Sequence, residues 1–204
     1  MMKLYITPGS PYARMARIMV LEKGLEHRVG IELAQTRSTD SPYYRINPSG
    51  RVPWLVRDDG PGLEESAVIC RYLDHLDGTP DFDLPAGDEA WEALRLGALA
   101  SSLMDGVAVW GRETRRPQNE QSPTIIRHER DRAARMIDRW ETEIDHPAMQ
   151  GRFNLVQVAL VCALELETQY PDFQWREGHE KLSKWLTCVS ARPSVRKTAL
   201  PASR

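Results

Sequence analysis

Apolar positions recur along this chain in two different rhythms. In the first part, short strand-like runs alternate with stretches of helical period. Residues 3–7 read as a strand, and Thr7-Pro8-Gly9-Ser10-Pro11 as a loop ending at a helix start. Ser10 suits the N-cap and Pro11 the first helical position. Ala13, Ala16, Val20 and Leu21 carry that helix to Gly24, a natural terminator. A second strand is predicted over residues 28–33. A third over 54–57 is closed by Asp58-Asp59-Gly60, and residues 62–64 form a short fourth. Ile69, Tyr72, Leu73 and Leu76 then sit at the i, i+3, i+4, i+7 spacing of an amphipathic helix.

After Gly78 the rhythm changes. GTPDFDLPAG is rich in glycine, proline and aspartate and reads as a linker over 79–87. It divides an α/β domain, 1–78, from an all-α domain, 88–204, in which every apolar pattern has helical period. One stripe is Leu96, Leu99, Leu103, Val107 and Trp110; another is Ala133, Ile137, Trp140 and Ile144. Between them, residues 115–123 are polar and proline-bearing, a mobile connection. Residues 155–164 are apolar on nearly all sides, as a helix at the centre of a bundle is. Asn154 and Gln157 stand where a capping box would open that helix. Leu182, Trp185, Leu186 and Val189 close the set.

Composition narrows the function classes. With 27 basic and 29 acidic residues in 204, the net charge of −2 gives no bulk attraction to nucleic acid or an anionic membrane. The longest apolar run, Val158 to Leu164, is far short of the roughly 20 residues that span a bilayer. The first residues lead straight into a strand with no leader-like segment, so a cytoplasmic setting is expected. Cys70, Cys162 and Cys188 form no CxxC and lie in helical apolar patterns, which reads as three buried, reduced thiols. The five histidines are scattered, and no structural metal is expected. No GxGxxG, GxxxxGK[ST] or GxSxG occurs, which removes the usual signs of dinucleotide, nucleotide or serine-hydrolase chemistry.

Three segments of the first domain carry candidate chemistry. Ser10-Pro11-Tyr12 sets a hydroxyl at a helix N-terminus, Arg51-Val52-Pro53-Trp54 a proline before a strand, and Glu65-Ser66 an acid and a hydroxyl at the next helix start. Each alone is explained by capping or by strand entry. In this order, SPYARMARIMVLEKGLE, NPSGRVPWLV and EESAVICRYLD resemble the cytosolic glutathione transferases, and the helical remainder fits their second domain. The resemblance is greatest to small bacterial members with serine or threonine at the active-site helix. It implies an N-terminal thioredoxin-like domain followed by a C-terminal helical bundle.

The resemblance also implies a site. Val52, before a cis Pro53, would pair its backbone with the cysteinyl backbone of glutathione. Glu65 would accept the γ-glutamyl ammonium, and Ser66, through its hydroxyl and its backbone N–H at a helix N-terminus, would bind the γ-glutamyl residue's carboxylate. Arg51 would approach the glycyl end. Ser10 would hold the glutathione sulfur as thiolate, with Thr7 a competing hydroxyl. A free thiol has a pKa of ~8.5, and lowering it by ~2 units takes roughly 2.7 kcal/mol. One charge-assisted hydrogen bond and the helix dipole are of that size. Where glutaredoxins have Cys-Pro-Tyr-Cys, this chain has Ser10-Pro11-Tyr12-Ala13, so glutathione's own thiol must be the nucleophile.

The implied function is conjugation of glutathione to small hydrophobic electrophiles, with glutathione peroxidase activity on the side. Glutathione would be a co-substrate, no cofactor is needed, and the family expectation is a homodimer. An electrophile pocket between the domains would draw on Tyr12, Met104, Val107 and Trp110, with Arg112 or Arg115 at its mouth. The alternative is a non-catalytic, stringent-starvation-protein-like member that binds a protein partner.

Overall fold

The computed structural model describes residues 1–82, 87 and 89–202. The chain divides into two compact units, Met1–Asp83 with Lys197–Leu200, and Leu84–Arg196 with Pro201–Arg204. Residues 83–86 of the predicted linker lie outside the described residues.

The first unit is built on a three-stranded sheet of order β2-β1-β3, with β1 at Met2–Ile6, β2 at Val29–Leu33 and β3 at Trp54–Val56. β1 and β2 are parallel, with Ile6 opposite Leu33. β3 is antiparallel to β1, with Tyr5 opposite Trp54 and Lys3 opposite Val56. The predicted fourth strand is a single antiparallel bridge, in which Leu55 and Leu63 exchange both backbone bonds at 3.0 and 2.9 Å. The period-2 pattern of β1 buries Met2, Leu4 and Ile6 on one face. On the other, the Tyr5 ring lies 5.4 Å from that of Tyr43, in a 3-10 turn at Pro42–Arg45 that no apolar period announced.

Helix α1, Pro11–Glu22, makes the β1-to-β2 crossover and packs on α2, Ser66–His75. It begins as the sequence predicts, with Pro11 at its first position and Ser10 as cap. It ends one residue before Lys23, and Gly24 takes φ +61°, a conformation in which glycine carries no Cβ penalty. The ammonium of Lys23 lies 3.4 Å from the buried Asp74, 2.9 Å from Asp77 and 2.9 Å from the Thr79 carbonyl. Asp74 in turn accepts from the backbone N–H of Asp81 and of Phe82 at 2.9 Å each. The start of the predicted linker is thus tied to both helices by charge. At the other end of the chain, Thr198 takes hydrogen bonds from Arg14 and Arg17 of α1, which brings Lys197–Leu200 into this unit.

The second unit holds α3 (Glu89–Thr114), α4 (Pro123–Glu143), α5 (Pro147–Gln150), α6 (Leu155–Leu164), α7 (Glu180–Ser190) and most of α8 (Pro193–Lys197). α3 packs along both α4 and α6, and nine of the ten residues of α6 are buried, as its all-round apolar pattern predicts. Asn154 caps α6, accepting from Val156 and Gln157 N–H at 3.0 and 3.2 Å. Gln157 does not complete a capping box. Its amide instead donates to the Ala148 and Arg152 carbonyls, alongside the amide of Asn154. Residues 115–123 are less free than their composition suggests. Gln121 donates to the Thr114 and Arg116 carbonyls, and Glu113 accepts the Ser122 N–H at 2.7 Å.

One further expectation changes. Cys70 and Cys162 are buried, but Cys188 is exposed, because it lies off the α7 face that buries Leu182, Trp185 and Leu186. Among the described residues no helix is long and apolar enough to cross a membrane.

Candidate active site

Strand register brings the three candidate segments to one end of the sheet. β1 runs toward Ile6 and leads through Thr7 to Ser10. β3 is antiparallel to it with Trp54 opposite Tyr5, so Val52 and Pro53, which enter β3, lie at that same end. The Leu55–Leu63 bridge is antiparallel again, so the chain leaving Leu63 returns there and opens α2 at Glu65 and Ser66.

Ser10 sits in a tight turn, its N–H bonded to the Thr7 carbonyl at 3.1 Å. Its Oγ accepts the Ala13 N–H at 3.1 Å. A capping hydroxyl uses a lone pair on the helix and keeps its own O–H for an outside acceptor. The helix adds its positive end in the same place. Thr7 and Tyr12 are half-buried neighbours on either side.

The Val52–Pro53 peptide is cis. Val52 is half-buried, and neither its N–H nor its carbonyl has a partner among the described residues. The loop before it is closely knit. The Tyr43 hydroxyl and the Asn47 amide both donate to the Arg51 carbonyl, at 2.5 and 2.9 Å, and Asn47 also donates to the Tyr43 hydroxyl at 3.3 Å. The Ser49 N–H bonds Asn47 Oδ1, and the Arg51 N–H bonds Ser49 Oγ. Tyr43 and Asn47 are 3% and 1% exposed, and burial pushes the Tyr43 hydroxyl above its ordinary pKa, which keeps it a donor. Gly50, at φ +67°, lies under the Tyr44 ring, where a Cβ would come within 2.7 Å. The Arg51 side chain is exposed.

Glu65 caps α2 with φ +70°, a left-handed conformation unusual for a residue with a side chain. Backbone strain of this kind clusters where function requires a fixed geometry. Its carboxylate does not bond back to the helix, and its carbonyl accepts the Ile69 N–H at 2.9 Å. The N–H groups of Ser66, Ala67 and Val68 therefore have no acceptor among the described residues, which leaves an anion-binding helix end beside an exposed carboxylate. Gly62 lets the chain reach it, for a Cβ there would meet the Trp54 ring at 2.3 Å.

The predicted pocket residues of α3 are core residues of the helical unit. Met104 and Val107 have no exposed surface, and Trp110 is 6% exposed with its ring edge-on to Phe173 at 6.3 Å. Arg115 stacks on the Tyr170 ring at 4.6 Å and donates to the Gln169 carbonyl. Tyr43 and Asn47 were missed by sequence reasoning. Their only signal was their place in the stretch before Val52, since side-chain bonds from a turn and a loop to a carbonyl follow no period.

Comparison with known proteins agrees with this layout. The family model for the glutathione S-transferase N-terminal domain matches residues 9–76, which include all three segments. The uncharacterised GST-like protein YibF of Escherichia coli K12 is 31% identical over 207 residues, covering 98% of this chain and 99% of that one. A glutathione transferase family member from Pseudomonas fluorescens Pf-5, solved with bound glutathione, superposes with a TM-score of 0.88 at 30% identity, covering 99% of this chain and all of that one. A glutathione S-transferase from Methylobacillus flagellatus, solved with glutathione bound, gives a TM-score of 0.87 at 30% identity over 98% of this chain. A thioredoxin-like unit joined to a helical unit, matched over its whole length by such relatives, places this chain in the glutathione transferase family.

Proposed function

We propose that the chain is a glutathione transferase that conjugates the glutathione thiolate to small hydrophobic electrophiles. The observation that carries the reading is the shared sheet end: the Ser10 hydroxyl, the unpaired Val52 backbone and the open N-terminus of α2 all belong to it. In this reading, Val52 pairs with the cysteinyl backbone as an added strand. Glu65 accepts the γ-glutamyl ammonium, while Ser66 and the α2 N–H groups take the α-carboxylate. Arg51, exposed at the loop, approaches the glycyl carboxylate.

The sulfur then faces Ser10, whose O–H donates to it while Oγ stays bonded to Ala13. The thiol proton passes to solvent, and the hydroxyl and the helix end hold the anion. The thiolate attacks an electrophilic carbon, a C–S bond forms, and the leaving group departs with its electron pair. Ser10 acts here as a stabilising donor and forms no covalent bond. Tyr12 offers an aromatic surface to the electrophile. Glutathione-dependent peroxide reduction, a homodimer and a cytoplasmic setting belong to the same reading on family grounds.

The test is turnover of a halodinitrobenzene with glutathione. Saturable conjugation that fails in Ser66→Ala supports the reading. A folded protein that forms no conjugate and shows no thiolate absorbance with glutathione would overturn it in favour of a non-catalytic, protein-binding member.

A further inference from the structure

We infer that Tyr43 and Asn47 are positioning residues for glutathione, acting through the Arg51 carbonyl to aim the Val52 N–H into the site. The inference rests on the function proposed above and adds residues to which that reading gives no role.

The peptide joining Arg51 to Val52 is trans and planar, so its C=O and N–H point in opposite directions. Two buried donors converge on that carbonyl, Tyr43 Oη at 2.5 Å and Asn47 Nδ2 at 2.9 Å, and they are bonded to each other at 3.3 Å. Fixing the carbonyl fixes the plane, and fixing the plane fixes the N–H on its far side. That N–H has no acceptor among the described residues. The following residue, Pro53, has no N–H of its own, so the Val52 amide is the sole backbone donor this turn presents to a peptide lying beside it.

The network is rigid for reasons visible in its parts. Tyr43 is held by the Tyr5 ring and Asn47 is buried, its Oδ1 engaged by the Ser49 N–H. A loop fixed only at its ends would let the plane rock, and a β-type pairing tolerates little of that. The bonds therefore matter for recognition of the cysteinyl backbone, more than for the sulfur, which lies at Ser10.

The experiment uses the full chain and Tyr43→Phe, which keeps the ring and removes the hydroxyl. Calorimetry is expected to show glutathione binding weakened roughly three- to tenfold, the size of one lost hydrogen bond. The turnover number at saturating glutathione and the pKa of the bound thiol stay as in wild type, and KM for glutathione rises. The amide signal of Val52, followed by nitrogen-15 NMR, shifts on glutathione addition in wild type and shifts less in the variant. Binding of γ-glutamyl methylamide, which lacks the cysteinyl backbone, is unchanged. Asn47→Ala gives a second variant with the same signature.

Equal glutathione affinity in Tyr43→Phe and wild type overturns the inference and leaves the proposed function standing. Equal weakening for glutathione and γ-glutamyl methylamide also overturns it, as a general loosening of the fold. Failure of wild type to bind glutathione overturns both.

Discussion

Removing the Ser10 hydroxyl should produce two separable effects, because that one group caps α1 and, in the function proposed, also donates to the thiolate. As a cap it accepts the Ala13 N–H at 3.1 Å. Ser10→Ala therefore costs about 0.5–2 kcal/mol of stability, the usual range for a lost N-cap. As a donor to the glutathione thiolate it contributes roughly 1.5–3 kcal/mol, the worth of a hydrogen bond to a charged group. At about 1.36 kcal/mol per pKa unit, its loss raises the bound thiol by ~1–2 units. The helix end remains and keeps a contribution of ~0.3–1 kcal/mol, so the pKa does not return fully to that of free glutathione.

The assay is titration of the thiolate's ultraviolet absorbance with glutathione bound, beside thermal unfolding of the free protein. Conjugation by Ser10→Ala should fall roughly three- to twenty-five-fold near neutral pH and recover in alkali, where the thiol ionises unaided. Ser10→Thr, which keeps both cap and donor, should behave nearly as wild type. An unchanged thiol pKa in Ser10→Ala, with a raised one in Thr7→Ala, would refute the assignment and make Thr7 the donor.

Other consequences concern the frame around the site. Asn154→Ala should destabilise the helical unit by about 1–2 kcal/mol and no more, since the Ala148 and Arg152 carbonyls keep Gln157 as donor; denaturant titration checks this. Gly62→Ala should cost about 1–3 kcal/mol by overpacking against Trp54, and should weaken glutathione binding by displacing the approach to Glu65. His179 is partly desolvated, which lowers its pKa, but its bonds to Asp138 and the Trp175 carbonyl outweigh this and raise it above 6.5. A raised histidine stabilises below its unfolded pKa, so thermal stability should decline as pH rises from about 6.5 through the folded value, and His179→Gln should lose that slope.

Much of the frame was legible because it repeats. The alternation of β1, the all-round apolar run of α6 and the cap at Ser10 all follow from residue type and spacing. The site was legible only where it coincided with such an element, at the starts of α1, β3 and α2. What stayed hidden depends on contacts without a period. The left-handed Glu65 is a backbone angle that its residue type disfavours. The Tyr43–Asn47 network is made in a 3-10 turn and a loop. Burial of Lys23 against Asp74 runs against the ordinary exposure of charged residues, and only the approach of α1 to α2 reveals it. Cys188 was different, because the α7 stripe already set it off the buried face.

Glutathione binding tests the central claim most directly, by calorimetric titration into the full chain with Glu65→Ala alongside. Saturable binding in the micromolar-to-millimolar range is expected for wild type, weakened about tenfold or more in the variant as its charge-assisted bond to the ammonium is lost. No uptake by wild type at several millimolar, or equal affinity in the two proteins, would contradict the site described at this end of the sheet.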